Sequence, residues 1–257
     1  MVMLISPFRY FCRMQRMPQV SDDVIRRDPI GAAIFDYYHS GKDAKIQVFI
    51  NGKRDEDMLS SLFFRNYQQM KGYERLALRY AKGSVLDVGA GAGCHSLILQ
   101  KRKLDVTAIE RSSLACEVLR QRGVKRILNE DIFDLRGIPY NTILLLMNGL
   151  GLMGSEEETL KLLKHLKRLL APKGYIIGDS TDILYNTMNA EQAFNSKADY
   201  YGKVEFKLKY KGIQADPFDW IYIDPVLLTE LADKAGLHCD IIHRDANFHY
   251  LAKLRAV

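Results

Sequence analysis

Short apolar runs alternate with amphipathic segments through the middle of the chain. Each run is bounded by polar or turn residues, as expected for strands of a sheet that is covered on both faces; the predicted strands are 84–88, 105–109, 126–128, 142–147 and 175–178. Between the runs, apolar residues recur at helical spacing, as Leu160, Leu163 and Leu166 do after the helix cap Ser155. This alternation predicts a mostly parallel sheet with helices on both faces.

Two predicted helices and a strand precede this region. Asp28-Pro29 is typical of a helix start, and the apolar spacing behind it is helical. A strand-like run at 45–50 ends at the turn dipeptide Asn51-Gly52, and a second amphipathic helix covers about 73–81. We therefore expect residues 28–82 to form an N-terminal lead-in to the core.

The last part of the chain has a different pattern. Every second residue from Val204 to Tyr210 is apolar and the residues between are charged, which indicates a half-exposed strand, and 218–223 can be its antiparallel partner. We expect this pair to be a β-hairpin inserted at about 200–223. Two later runs, 239–243 and 250–255, are close enough to pair as a terminal hairpin.

The domain organisation follows from length and composition. With 257 residues, 47% of them hydrophobic, the chain can bury one substantial core. We expect one domain over 28–257, with its core at 83–257. Residues 1–27 are expected to be a loose extension, with Met17 as an alternative start.

The most specific motif is the segment Asp87-Val88-Gly89-Ala90-Gly91-Ala92-Gly93, which lies between a predicted strand and a predicted helix. Glycines permit positive φ and let a ligand approach the backbone, and a helix N-terminus adds unpaired N–H groups. A dinucleotide fingerprint would require glycine where Cys94 stands. Here glycine instead recurs at every second position after an acidic residue.

This loop resembles the first motif of class I S-adenosylmethionine-dependent methyltransferases, and the resemblance covers roughly residues 67–257. It implies a Rossmann-like, seven-stranded, mostly parallel twisted sheet with an antiparallel terminal strand. It also implies that Asp87 interacts with the methionine amino group, often through water, and that loop amides lie against the cofactor. The loop residues expected in the cofactor site are Gly89, Ala90, Gly91 and Gly93.

Three later positions complete the expected cofactor site. Glu110 lies at the end of the next strand, and Arg111 follows it. The spacing in sequence between the glycine loop and Glu110 suits a carboxylate that binds ribose hydroxyls. By the resemblance, Asp131 and Ile132 contact adenine; the alternative is a helix cap or an acidic turn. Asn148 follows the fourth strand, where cofactor and acceptor meet.

Methyl transfer from a sulfonium requires alignment of the acceptor and exclusion of water, and no covalent nucleophile. A polar group could orient the acceptor or remove its proton. His95 is interpreted as lining the pocket rather than as a base. Each candidate could instead be structural; they are Asn148, His95, Tyr200 and Tyr201, with Asp179, Ser180 and Asp182 in the same region.

Composition argues against a metal-binding, membrane-bound or nucleic-acid-binding protein. The four cysteines are scattered without metal-binding or disulfide spacing, which suits reduced thiols in a cytoplasmic protein, and no metal site is expected. No apolar run is long enough to span a bilayer, so no membrane partner is expected. The net charge of +6 would suit nucleic acid, but the basic residues are distributed along the helices and indicate a solvated surface.

Several functions stay open on these grounds. The preferred one is methyl transfer to a small-molecule acceptor by direct in-line displacement, because Asn148-Gly149-Leu150 lacks the prolines and aromatic that hold a flipped base. The alternatives are an RNA or protein methyltransferase that uses the basic surface, a non-catalytic S-adenosylmethionine-binding protein, and an NAD-dependent oxidoreductase. The sequence names neither the acceptor atom nor the oligomeric state.

Overall fold

The computed structural model describes residues 27–137, 139–185 and 200–257. Of the expected N-terminal extension, only Arg27 falls within these ranges. None of the helices in them combines the length and apolar character needed to cross a membrane.

Thirteen strands and six α-helices occur in the described ranges. The strands are β1 (Lys45–Ile50), β2 (Lys53–Arg54), β3 (Met58–Leu59), β4 (Ser84–Val88), β5 (Asp105–Ile109), β6 (Arg126–Leu128), β7 (Tyr140–Leu145), β8 (Leu170–Thr181), β9 (Lys203–Tyr210), β10 (Ile213–Gln214), β11 (Phe218–Ile221), β12 (Leu237–Arg244) and β13 (His249–Ala256). The helices are α1 (Pro29–Ser40), α2 (Gly72–Tyr80), α3 (Cys94–Lys101), α4 (Ser113–Gln121), α5 (Glu156–Arg168) and α6 (Pro225–Lys234).

The larger sheet has seven strands in the order β12-β13-β8-β7-β4-β5-β6. Strands β4 to β8 are parallel, and β13 pairs antiparallel with β8 on one side and with β12 on the other. Helices α2 and α3 pack on one face and α5 and α6 on the other, because neighbouring strand residues such as Val85 and Leu86 point to opposite cores. The predicted Rossmann-like fold is confirmed.

Two core strands differ from their predicted bounds. Strand β8 extends beyond the predicted 175–178 as far as Thr181, since β13 pairs along it and places His249 opposite Thr181. Strand β7 ends at Leu145, before the predicted end, because Met147 and Asn148 have φ of 65° and 58° and leave the extended conformation. Both differences change the end of the sheet where the site lies.

A second sheet forms from segments that are far apart in the chain. Strands β9 and β11 make the predicted hairpin, with Phe206 opposite Phe218. Strand β9 also pairs antiparallel with β1, with Leu208 opposite Val48, a pairing that the sequence pattern did not predict. Helix α1 packs between this sheet and α4, with Ala33 in the shared core. The lead-in and the inserted hairpin therefore form one layer.

Candidate active site

The glycine loop joins β4 to α3 at the carboxyl end of the parallel strands. Gly89, Gly91 and Gly93 have φ of 69°, 54° and 83°, a conformation that costs other residues about 1–2 kcal/mol. A Cβ on Gly89 would meet no atom within 4 Å, whereas a Cβ on Gly93 would lie 2.6 Å from Leu119 and 3.1 Å from Val124. Gly89 therefore borders open space, and Gly93 allows α3 and α4 to pack closely.

Asp87 is buried near the end of β4, directly before the loop. Its Oδ2 accepts a 2.6 Å hydrogen bond from Ser96 Oγ on α3. Burial raises the pKa of Asp87, and the nearby His95 and the bond from Ser96 act against that rise. The carboxylate is thus fixed between the sheet and the start of α3.

Glu110 follows β5 and faces the same loop. Its two carboxylate oxygens accept hydrogen bonds from the backbone N–H groups of Gly91 and Ser112, both at 2.9 Å. Loss of solvation raises the pKa of Glu110, and the negative charge of Asp28 adds to the rise. Asp28 caps α1 and accepts a 2.5 Å hydrogen bond from Ser112 Oγ. The first helix of the lead-in is therefore anchored beside Glu110.

The turn after β6 lies next to Glu110. Asp131 Oδ1 accepts from the backbone N–H two residues later, and Asp131 Oδ2 lies 3.6 Å from Nη1 of the exposed Arg111. Ile132 is buried. Asn129 Nδ2 donates to the carbonyls of Glu110 and Arg111 at 3.0 and 2.9 Å. The predicted ribose and adenine residues are thus brought to one edge of the sheet.

Asn148 follows β7 and begins a 3₁₀ turn, Gly149–Gly151. Positive φ at two successive non-glycine residues, Met147 and Asn148, is rare and costs free energy, and strain of this kind collects at functional sites. The backbone N–H of Asn148 donates to Asp179 Oδ2 at 2.8 Å, and its side-chain oxygen accepts from Thr181 Oγ1 at 2.9 Å. The Asn148 loop is therefore tied to the end of β8.

His249 belongs to the same group, and sequence reasoning missed it. Its Nε2 lies 2.7 Å from Asp179 Oδ2 and its Nδ1 lies 2.8 Å from Thr181 Oγ1. Its ring stacks on Tyr73 of α2, with the ring centres 4.0 Å apart. Burial raises the pKa of Tyr73, as does the negative charge of Asp179. No local pattern marks His249, because only the β8–β13 register brings it to Thr181.

His95 is buried in the first turn of α3, where its Nε2 lies 3.0 Å from Glu74 Oε1. Burial lowers the pKa of His95, but interactions with Cys94, Glu74 and Asp87 outweigh it and raise the pKa well above its ordinary value. Glu74 also accepts two hydrogen bonds from Arg65, at 2.6 and 2.7 Å. His95 thus links the lead-in to the glycine loop.

Tyr200 and Tyr201 have hydrogen-bond partners within the protein. Tyr200 Oη donates to Asp224 Oδ2 at 2.8 Å and accepts from the Asp224 backbone N–H at 2.9 Å, where Asp224 caps α6. Tyr201 Oη donates to Asp182 Oδ1 at 2.9 Å. Ser180 Oγ likewise accepts from the Ile223 backbone. These three hydroxyl groups hold the inserted hairpin and α6 against the end of β8.

The arrangement fits S-adenosylmethionine. Open space borders Gly89, and the carboxylates of Asp87 and Glu110 lie on either side of the loop. Carboxylates at these places can receive an ammonium group and ribose hydroxyls, respectively. The polar group around Asn148 and Asp179 lies at the neighbouring strand ends, where an acceptor would meet the cofactor.

Comparisons with known proteins agree with this geometry. A family model described as a methyltransferase domain matches residues 86–178. The crystal structure of a SAM-dependent methyltransferase from Bacteroides fragilis, in complex with S-adenosyl-L-homocysteine, is 40% identical in sequence. The match covers 90% of this chain and 96% of that one, with a TM-score of 0.82. A comparison with curated protein sequences gave no match.

More distant structures share the fold. The CcbJ methyltransferase from Streptomyces caelestis is 17% identical over 75% of this chain and 99% of its own, with a TM-score of 0.58. The sugar N-methyltransferase KedS8 from Streptoalloteichus sp. is 13% identical over 77% of this chain and 92% of its own, with a TM-score of 0.53.

Fold, loop and comparisons together define a class of protein, the S-adenosylmethionine-dependent methyltransferases. The chain belongs to the class I family of these enzymes. Its cofactor is S-adenosylmethionine.

Proposed function

We propose that the enzyme methylates a small-molecule acceptor. S-adenosylmethionine supplies a methyl group activated on a sulfonium, so the protein's task is to align the acceptor and exclude water. The observation that carries the proposal is the close packing of the second sheet against the turn that follows Asn148.

Glycines in that turn have no room for a side chain. A Cβ on Gly151 would overlap the carbonyl of Ile221 and lie 2.7 Å from Trp220 Nε1, and a Cβ on Gly154 would lie 2.5 Å from the carbonyl of Asp219. Strand β11 therefore covers the acceptor side of the loop. A covered site can enclose a small molecule. It therefore favours a small-molecule acceptor rather than a residue that belongs to a macromolecule. KedS8 is one example of this fold with a sugar acceptor.

We also propose the cofactor contacts. Asp87 receives the methionine amino group, the loop amides lie along the cofactor, Glu110 binds the ribose hydroxyls, and the turn after β6 receives adenine. Gly93 contributes by allowing the loop conformation. The proposed residues are Asp87, Gly89, Ala90, Gly91, Gly93, Glu110, Arg111, Asp131, Ile132 and Asn148.

Calorimetric binding of S-adenosylhomocysteine tests these contacts. We expect Asp87→Ala and Glu110→Ala each to weaken binding about tenfold or more, because a hydrogen bond to a charged group contributes about 1.5–3 kcal/mol. Glu117→Ala is the matched control, since the hydrogen bonds of Glu117 within the described ranges go to its own helix neighbours Arg120 and Gln121. Affinity equal to the wild type in both site variants would refute the proposed contacts.

The acceptor class is tested with methyl-labelled S-adenosylmethionine and separate RNA, protein and small-molecule fractions of an extract of the chain's source organism. We expect label in the small-molecule fraction. Label confined to RNA or protein, or in no fraction while S-adenosylhomocysteine still binds, contradicts the proposed function.

A further inference from the structure

A buried carboxylate lies beside the Asn148 loop. Asp179 is fully buried near the end of β8, and its Oδ2 lies 2.8 Å from the Asn148 backbone nitrogen and 2.7 Å from His249 Nε2. Both groups donate to the same oxygen and fix the orientation of the carboxylate. The other oxygen, Oδ1, is also buried and has no hydrogen-bond partner among the described residues.

An unpartnered buried carboxylate oxygen needs an explanation, because leaving it without a donor costs free energy. Within the part of the chain that the structure describes, neither lysine nor arginine forms a salt bridge with Asp179; its ionic partner is His249. A donor from a bound molecule would satisfy Oδ1. The carboxylate's negative charge favours a cationic donor.

The groups around Asp179 hold it from several elements. His249 is stacked on Tyr73 and lies 2.8 Å from Thr181 Oγ1, which donates to Asn148 Oδ1 at 2.9 Å. Hydrogen bonds therefore connect the four polar residues in a closed ring. This ring includes the strained Asn148 backbone, and it lies in the region where we propose that the acceptor meets the cofactor.

We propose that Asp179 Oδ1 binds the nitrogen of an ammonium-bearing acceptor and takes one of its protons, with His249 as a positioning residue; this inference rests on the proposed function. The N–H bond breaks and an O–H bond forms on Asp179. The freed nitrogen lone pair then forms the C–N bond, the sulfur keeps the electron pair of the broken C–S bond, and the product leaves as a methylated ammonium. Asp179 returns its proton to water.

An amine suits this site better than an alcohol. The pKa of an alkylammonium, about 10, is far closer to that of a carboxylic acid than the value of about 16 for a water-like hydroxyl. Among the described residues, the charged groups that act on Tyr73, the stacking partner of His249, are Asp179, Glu74, Arg65 and Asp245, and His249 pairs with Asp179 itself.

The first test uses S-adenosylmethionine with a ¹³C methyl group and the small-molecule fraction of the extract of the chain's source organism. The ¹³C chemical shift distinguishes methyl groups on nitrogen, oxygen and carbon. We expect an N-methyl product. An O-methyl or C-methyl product would overturn the assignment to amines and leave the proposed function standing.

The second test compares Asp179→Asn with the wild type on the labelled acceptor. At pH 7 we expect kcat to fall about 100-fold, as for loss of a general base, and the ratio of wild-type to variant rates to shrink as pH rises toward 10, where free amine becomes abundant. His249→Gln should give a smaller loss with the same trend. Asp240→Asn, at the exposed edge of the sheet, is the control.

Binding of S-adenosylhomocysteine separates this role from a structural one. We expect Asp179→Asn and His249→Gln to keep its affinity within about twofold, or 0.4 kcal/mol. If affinity falls together with kcat, Asp179 belongs to the cofactor site or to the fold, and the inference fails. A wild-type to variant ratio that is constant with pH also refutes it.

Discussion

Gly89 and Gly93 share a left-handed backbone but have different surroundings, so the same substitution should act on different properties. The open space at Gly89 is where the cofactor is proposed to lie, and Gly93 faces Leu119 and Val124. At the scale of single residues, Gly89 is thus proposed to serve cofactor binding, whereas Gly93 serves packing.

We predict that Gly93→Ala lowers the free energy of unfolding by about 2–4 kcal/mol, because it adds backbone strain to overpacking. Gly89→Ala should cost only about 1–2 kcal/mol of backbone strain. It should weaken S-adenosylhomocysteine binding at least about tenfold, since its methyl group would enter the open space proposed for the cofactor. Urea unfolding and calorimetry measure the two effects. Gly89→Ala protein that binds like the wild type would show that the cofactor does not approach this position.

Among the elements, the start of α2 forms one of the links between the lead-in and the core. Glu74 accepts from Arg65, from His95 and from the Lys71 backbone at 2.9 Å. Burial raises the pKa of Glu74, but the hydrogen bonds from His95 and Arg65 outweigh it and lower the pKa to about 2. A folded-state pKa below the ordinary value means that the ionised carboxylate stabilises the fold.

We predict that this stabilisation is complete above about pH 4.5 and is lost as pH falls toward 2. Its upper limit is about 3 kcal/mol, from the difference between the ordinary and the folded-state pKa. Glu74→Gln should therefore flatten the acid side of the stability curve, measured by urea unfolding at a series of pH values. Glu117→Gln should keep the wild-type slope; equal slopes in both variants would contradict the assignment.

The elements themselves were largely predictable. Asp28-Pro29, Ser155 and Asn51-Gly52 mark local starts and turns, and the structure has helices and a hairpin at these places. Strand ends were less predictable. Strand β8 is extended by its partner β13, and β7 ends where two residues take positive φ, and neither cause is visible in local sequence.

For the whole molecule, the second sheet packs against the turn after Asn148, where we propose that the acceptor binds. We predict that Gly151→Ala displaces β11, because its Cβ would overlap the carbonyl of Ile221. Methyl transfer should fall about tenfold or more, a loss of at least about 1.4 kcal/mol of transition-state stabilisation, while S-adenosylhomocysteine affinity is kept. Kinetics with the labelled acceptor and calorimetry measure the two quantities.

Gly72→Ala serves as the matched control, since a Cβ there would meet no atom within 4 Å. Full activity in Gly151→Ala would show that the second sheet does not shape the acceptor site. A parallel loss of cofactor binding would show that the change spreads through the core.

By itself, the sequence determined the parallel core and the positions proposed for the cofactor. Asp87, the glycines and Glu110 lie on one strand–loop–helix–strand unit, where short-range pattern and spacing fix the geometry. Only the tertiary structure decided the arrangement of the side where we propose that the acceptor binds. It pairs β1 with β9 and brings His249 to Thr181 across 68 residues and to Asp179 across 70. Strand register and packing make those contacts, and both depend on the whole chain rather than on its neighbouring residues.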